Sequence, residues 1–359
     1  MMRDSGGIIR VLVVEDSPVM CKIITNVLNA DPQIIVVGVA HNGKEAVELV
    51  PRLQPDIITM DMHMPVMDGL EATKEIMAYN PTPILVVSTT IFKAGMEKVF
   101  EAISYGALDV IEKGEMEVAG DKASGEKLIE KVKFLSKVNV IHHPLAKLEN
   151  RKVSLEKENK IGKNRLVIAK GVKRIVAIAA STGGPQALHQ LLKTFSGDFP
   201  CGIVVVQHIT SGFIDGLVEW LNDECAITVK VAEDSEEIKP GVVYFAPCDI
   251  QMRVEQTKCI NLINEPPRDG HLPSGDVLLE SVAKVYKEGA IAVILTGMGR
   301  DAAVGMSSVK QMRGKTIAQD EKSSIVFGMP RAAIEMNAID KVLSLEKIPE
   351  AIFRMLSSC

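Results

Sequence analysis

The chain has 359 residues, which suggests roughly two or three domains, and 47% are hydrophobic while only 4% are aromatic. That aromatic-poor, Val/Ile/Leu/Ala-rich balance fits parallel sheets covered by helices and argues against a β-sandwich. The formal net charge of −5, from 41 basic and 46 acidic residues, gives no bulk attraction to nucleic acid or an anionic membrane. The apolar run Ile8–Val14 is cut by Glu15 and Asp16, so the start reads as no signal peptide. No stretch approaches the roughly 18 consecutive apolar residues of a membrane span. The cysteines at 21, 201, 225, 248, 259 and 359 include no C-x-x-C pair and read as reduced thiols. A cytoplasmic location is expected.

Residues 8–138 alternate strand and helix five times. Strands fit Ile8–Val14, Ile34–Val39, Asp56–Met60, Ile84–Ser88 and Leu108–Ile111, with helices over Val19–Asn29, Gly43–Leu53, Asp68–Tyr79, Gly95–Tyr105 and Asp121–Lys137. Repeated βα units predict a parallel, doubly wound sheet. Residues 139–172 break the pattern: eight Lys/Arg and three Asp/Glu give a net +5 with no firm hydrophobic period. We read them as a solvated linker, a basic patch for an acidic partner being the alternative.

Residues 173–359 form a second α/β unit. Strands are expected at Arg174–Ala180, Gly202–Gln207, Thr228–Val231, Ala290–Thr296 and near Lys315–Ala318. Val242–Ala246 and Ile250–Val254, separated by Pro-Cys-Asp, are expected to pair as an antiparallel hairpin. Helices are expected after Gly184, Gly212, Ser274, Asp301, Met329 and Leu345.

In the first unit, Glu15 and Asp16 follow the first strand and Asp61 follows the third. Three carboxylates converging at one sheet edge repel unless a cation neutralises them, and Mg²⁺ suits such an oxygen-only site. Ser88 and Thr89 end the fourth strand and Lys113 follows the fifth; a hydroxyl and an ammonium suit the oxygens of an acyl phosphate.

In the second unit three apolar runs each lead to a residue type used in catalysis: Ser181, His208 and Asp301. Ligands of open α/β sheets bind at the carboxyl ends of the strands, so a nucleophile, a base and an orienter are aimed at one edge. The turn Ser181-Thr-Gly-Gly-Pro185 sets the serine beside a helix N-terminus, whose free N–H groups can stabilise an oxyanion. Taken singly, Ser181 and Asp301 also read as helix caps, His208 as a core histidine, and Gly183-Gly184 as a phosphate cradle. The order Ser, His, Asp and the sequence Ala179-Ala-Ser-Thr-Gly183 exclude the usual α/β-hydrolase, which runs Ser, Asp/Glu, His with G-x-S-x-G.

The stretches Val13-Val-Glu-Asp-Ser-Pro18, Met60-Asp-Met-His-Met-Pro-Val-Met-Asp-Gly69, Pro83-Ile-Leu-Val-Val-Ser-Thr89 and Gly106–Lys113 resemble the receiver domain of bacterial response regulators. The likeness implies a flavodoxin-like fold, phosphorylation at Asp61, Mg²⁺ held by Glu15, Asp16 and Asp61, and phosphoryl contacts from Ser88 and Lys113. The stretches Ala180-Ser-Thr-Gly-Gly-Pro185, Val206-Gln-His208, Pro273-Ser-Gly-Asp-Val-Leu278, Leu295–Asp301 and Gln319–Pro330 resemble the catalytic domain of the chemotaxis protein-glutamate methylesterases, the CheB family.

That second likeness implies a serine hydrolase acting on glutamate methyl esters, and on glutamines, of methyl-accepting chemoreceptors. Ser181 is then the nucleophile, His208 the base, Asp301 its orienter, and the backbone N–H of Met298 an oxyanion donor. It implies a histidine kinase as phosphodonor, and activation when phosphorylation weakens the receiver's cover of the catalytic cleft. A receiver protein with a merely partner-binding second domain, and a serine hydrolase of small esters, are the alternatives. Gly114 stands where the receiver family usually has Pro. Ala179, Cys248 and Ala302 stand where the esterase family favours Gly, Gln251 replaces a His and Thr210 a Pro.

Overall fold

A computed structural model of the chain describes residues 7–88, 93–113, 122–138, 140 and 174–357. The linker 139–172, apart from Val140, and Thr89, Gly114 and Cys359 lie outside the described residues. The chain divides into two compact units, residues 1–155 and 156–359.

The first unit is a five-stranded parallel sheet in the order β2-β1-β3-β4-β5. Its strands are β1 (Ile9–Val14), β2 (Ile34–Ala40), β3 (Ile57–Met60), β4 (Ile84–Ser88) and β5 (Asp109–Glu112), alternating with α1 (Pro18–Asn29), α2 (Gly43–Leu53), α3 (Gly69–Tyr79), α4 (Lys93–Ser104) and α5 (Lys122–Leu135). β3 and β4 are buried at every position because helices cover both faces, so they read as unbroken apolar runs. Short polar caps start the helices. Ser17 accepts from the Met20 N–H, Asn42 from the Glu45 N–H and Asp68 from the Glu71 N–H. Glu45 reaches back to accept the His41 N–H, one residue before the Asn42 cap, at 2.7 Å.

The second unit is built on a seven-stranded, wholly parallel sheet in the order β14-β13-β12-β6-β7-β9-β8. Its central strands are β6 (Ile175–Ala180), β7 (Gly202–Gln207) and β12 (Ala290–Ile294), all fully buried. Outside them lie β8 (Thr228–Val231), β9 (Val242–Phe245), β13 (Lys315–Gln319) and β14 (Lys341–Leu343). Helices α6 (Gly184–Leu192), α7 (Ile214–Glu224), α8 (Gly275–Tyr286), α9 (Ala303–Gln311), α10 (Met329–Glu335) and α11 (Ile348–Ser357) cover the faces. One core cluster packs Ala177, Val204, Ala292 and Ile294 of the sheet against Leu278, Leu279 and Val282 of α8.

The expected hairpin is corrected. β9 does not pair with the strand after it; it lies parallel between β7 and β8. β10 (Gln251–Val254) instead pairs antiparallel with β11 (Ile260–Ile263), a strand the sequence reading had not drawn. The reason is burial: Val243, Tyr244 and Phe245 are all buried, as an inner parallel strand requires and a two-stranded ribbon cannot provide. β14 was also not drawn; it is three residues long and half exposed at the sheet edge.

In both units the strand order reverses at one point, β1/β3 in the first and around β6 in the second. Such reversals open a crevice at the carboxyl ends of the strands. Glu15, Asp16 and Asp61 flank the first crevice, and the segments after β6, β7 and β12 flank the second.

Candidate functional site

The nucleophile candidate stands where β6 gives way to α6. Ser181 donates its N–H to the Thr296 carbonyl at 3.0 Å, which ties it to the segment after β12. Gly183 takes φ +75°, a left-handed turn that a side chain would strain, and lets the Gly184 N–H return to the Ser181 carbonyl at 2.7 Å. Pro185 then occupies the first turn of α6, where a missing N–H costs nothing. Gln207, at the end of β7, donates its Nε2 to the carbonyls of both Ser181 and His208 at 2.8 Å. One buried amide thus clamps the segments carrying the nucleophile and base candidates.

His208 follows β7 directly, and its Nε2 lies 2.8 Å from Oδ2 of Asp301. A carboxylate only accepts, so Nε2 carries the proton. Nδ1 is left as the basic nitrogen; it is buried and has no hydrogen-bond partner. Among the described residues the Ser181 hydroxyl makes no hydrogen bond to His208. Catalytic contacts of this kind commonly tighten only with substrate in place.

Asp301 is supported on several sides. Besides His208 it accepts from Ser274 Oγ at 2.7 Å, from the Gly275 N–H at 2.6 Å and from the Asp276 N–H at 3.2 Å. Those last two N–H groups belong to the N-terminus of α8, where the helix dipole favours a negative charge. Burial works against the charge, but the bonds from His208, Ser274 and Gly275 outweigh it and hold the carboxyl well below the usual range. Ser274 is itself held by Gln251, whose Oε1 accepts its N–H at 2.8 Å.

The segment after β12 also approaches the nucleophile. A side chain at Gly297 would place its Cβ 2.8 Å from that of Ser181, so only glycine lets the two backbones pack so closely. The next residue is Met298, whose backbone N–H enters no hydrogen bond among the described residues. An unpaired donor one residue past this close approach is of the kind a developing oxyanion requires.

The departures from the family pattern leave this cluster intact. Ala302 sits at φ +71°, a left-handed conformation that costs an alanine about 1–2 kcal/mol, and its buried methyl packs close to Gly275. Ala179 lies in β6 without strain. Burial pushes the Cys248 thiol up to about 12, so it is no competing nucleophile. Gln251 is fully buried and supports Ser274. The half-buried Thr210 accepts the Phe213 N–H at 3.1 Å through its carbonyl.

Three supporting side chains were missed in the sequence: Gln207, Ser274 and His271. Ser274 is far from Asp301 along the chain, and only folding joins them. The ring of His271 stacks on that of His208, with centroids 4.4 Å apart and planes 22° from parallel. Its signal was the Asp269-Gly270 turn before it, which marks a tight reversal but not what the next residue touches.

In the first unit the structure brings Glu15, Asp16 and Asp61 together, with a ligand oxygen of each within 4.8 Å of the others. Lys113 lies 2.7 Å from Glu15 and 2.8 Å from Asp61, all three side chains being buried. Burial pushes the Glu15 carboxyl up, and the Lys113 ammonium pulls the other way. One ammonium against three carboxylates leaves negative charge uncompensated, so the donor set fits a hard divalent cation such as Mg²⁺. Ser88 is buried at the end of β4, and its carbonyl accepts the Lys113 N–H at 2.9 Å.

A family model described as CheB methylesterase matches residues 176–352, and one described as response regulator receiver domain matches residues 11–119. A Syntrophus aciditrophicus protein named protein-glutamate methylesterase/protein-glutamine glutaminase 1 is 42% identical over 356 residues, covering 98% of this chain and 99% of its own length. A Methanococcus maripaludis protein named protein-glutamate methylesterase/protein-glutamine glutaminase is 41% identical over 358 residues, covering 96% of this chain and 97% of itself. The crystal structure of the Thermotoga maritima CheB methylesterase catalytic domain matches with a TM-score of 0.50 and 40% identity, covering 52% of this chain and all of that one.

Proposed function

The chain belongs to the CheB methylesterase family, and from that premise we propose that it hydrolyses glutamate methyl esters, and deamidates glutamines, on methyl-accepting chemoreceptors under control of phosphorylation at Asp61. It is a two-domain response regulator with a hydrolase output. The domain bounds follow the sequence reading: receiver 8–138, linker 139–172, catalytic domain 173–359.

Ser181 Oγ attacks the side-chain carbonyl carbon of a methylglutamate. His208 Nδ1 takes the serine proton, while Nε2–H stays on Asp301, and the ionised Asp301 stabilises the imidazolium that forms. The carbonyl oxygen becomes an anion and draws the Met298 N–H, a donor worth about 3 kcal/mol at such a site. As the tetrahedral carbon collapses, His208 returns the proton to the departing methanol. A water, deprotonated by His208, then attacks the acyl-serine, and the proton goes back to Ser181 as free glutamate leaves. With glutamine as substrate the same steps release ammonia. The observation that carries this reading is the His208–Asp301 pair: one ring nitrogen fixed by a fully supported carboxylate, the other buried and basic.

In the receiver, Asp61 accepts the phosphoryl group from a histidine kinase. Glu15, Asp16 and Asp61 would hold Mg²⁺, which supplies charge neutralisation for phosphoryl transfer. Lys113 and Ser88 then contact the phosphoryl oxygens. The equilibrium shifted by phosphorylation is between two receiver states of different affinity for the catalytic domain. A cytoplasmic protein fits this role, and no helix among the described residues is long and apolar enough to cross a membrane.

The control is tested by ester hydrolysis with and without a small phosphodonor in wild type and Asp61→Asn. Wild type is expected to accelerate and the variant to stay at its basal rate. Equal acceleration of both would remove Asp61 from the account.

A further inference from the structure

His271 lies outside the three residues that do the chemistry, yet it is the group stacked on the base. Its placement is rigid. Asp269 and Gly270 take φ +48° and +81°, and Arg268 and His271 exchange both backbone hydrogen bonds at 3.1 and 2.9 Å, a tight reversal whose twist favours Asp-Gly. Arg268 grips Glu280 of α8 with two bonds of 2.8 and 2.7 Å, which anchors the reversal to the helix whose N-terminus holds Asp301. Gln251 ties the same segment to the carboxylate. Its Nε2 approaches the His271 carbonyl at 3.4 Å, its Oε1 accepts the Ser274 N–H at 2.8 Å, and Ser274 Oγ donates to Asp301 at 2.7 Å.

We propose that His271 is a positioning residue for the base: its ring forms a flat wall that confines the His208 imidazole to the plane in which Nε2–H meets Asp301 and Nδ1 stays free for Ser181. Besides its own N–H, which donates to the Ala180 carbonyl at 3.0 Å, three contacts limit His208. Asp301 fixes one edge through a single hydrogen bond, and Gln207 fixes the backbone. A ring held at one edge still rotates about that bond, and the stacked plane of His271 blocks the rotation. A flat partner does this and a branched aliphatic one does not, because only a ring lies flush at a 22° tilt.

The charges around His271 suit a neutral wall. His208 faces it, Asp301 lies beyond His208, and Asp269 is on its own turn. Burial, and then the charge His208 acquires, pull the His271 imidazole below its ordinary value. A neutral His271 ring does not repel the imidazolium that His208 becomes when it takes the serine proton.

This inference rests on the reading of Ser181, His208 and Asp301 as the hydrolytic site. The test compares methanol release from methylated receptor membranes by the full-length chain carrying His271→Phe, His271→Leu or His271→Ala, with Ser181→Ala as reference. His271→Phe should keep kcat within about threefold of wild type, while His271→Leu and His271→Ala should lose about tenfold or more with KM within about twofold. Nitrogen-15 spectra of the histidines should show one neutral His208 tautomer, protonated at Nε2, in wild type and His271→Phe, and a tautomer mixture in His271→Leu. Leucine performing as well as phenylalanine, or an unchanged His208 spectrum in His271→Leu, would overturn the proposal by reducing His271 to a space-filler. Leucine and phenylalanine both keep the volume, so this pair decides even where His271→Ala unfolds. An active Ser181→Ala would instead overturn the underlying reading, a separate outcome.

Discussion

The two units use the same fold logic and settle charge in opposite ways. Each is a parallel sheet with its polar residues at the crevice where the strand order reverses. In the receiver, Glu15, Asp16 and Asp61 face Lys113 as the one cation among the described residues, and three carboxylates against one ammonium leave a net negative charge. In the catalytic domain, Asp301 is answered completely by one histidine, one hydroxyl and two N–H groups at a helix start. The first pocket is incomplete and therefore responds to what binds; the second is complete and therefore ready. A switch and a catalyst differ here in whether the fold itself finishes balancing the charge.

The sharpest way to break this comparison is to unbalance the complete site. Asp301→Asn leaves the shape but offers an amide N–H where an acceptor is needed, disturbing the His208 tautomer. We expect kcat to fall by about 10³–10⁴-fold, together with loss of the stability that the ionised carboxylate contributes. Steady-state methanol release reads it, and a loss of less than about tenfold would mean that Asp301 only caps a helix.

On the receiver side, Lys113→Met removes the cation paired with Glu15 and Asp61 and leaves both buried without it. The receiver should lose about 3–5 kcal/mol in urea unfolding of the full chain, and added Mg²⁺ should restore part of it. An unchanged midpoint without Mg²⁺ would contradict the picture of an incomplete pocket.

A smaller effect sharpens the contrast inside the catalytic domain. Asp276 is buried beside Asp301, and burial pushes its carboxyl up to about 6 although it accepts the Gly305 N–H at 2.6 Å. A carboxyl raised on folding contributes stability that is present below about pH 4 and lost as pH rises through about 6. Asp301 has the opposite sign: held low, it contributes above about pH 4 and loses that contribution only in stronger acid. Asp276→Asn should therefore stabilise the domain above pH 6, by up to about 3 kcal/mol, and leave it unchanged below about pH 4. Urea midpoints measured across that range check the sign.

Much of this was legible in the sequence because buried parallel strands declare themselves as unbroken apolar runs, and the residues just past them are where α/β sheets keep their chemistry. Ser181, His208 and Asp61 could be placed that way. The hairpin at Val242 failed because a Pro-Cys-Asp turn between two short strands looks local, whereas β9 is claimed by distant β7 and β8. The support of Asp301 by Ser274 and α8, and of His208 by His271, left no trace in spacing. Such contacts depend on which helix start and which turn the packed sheet brings together, and no short-range pattern encodes that.

The central claim is that Ser181 is the nucleophile of a methylesterase. The direct measurement is methanol release from methylated receptor membranes by wild type and by Ser181→Ala, each phosphorylated to the same extent at Asp61. The account predicts release by wild type and a loss of at least about 10⁴-fold in the variant. Release surviving in Ser181→Ala at near the wild-type rate would contradict it.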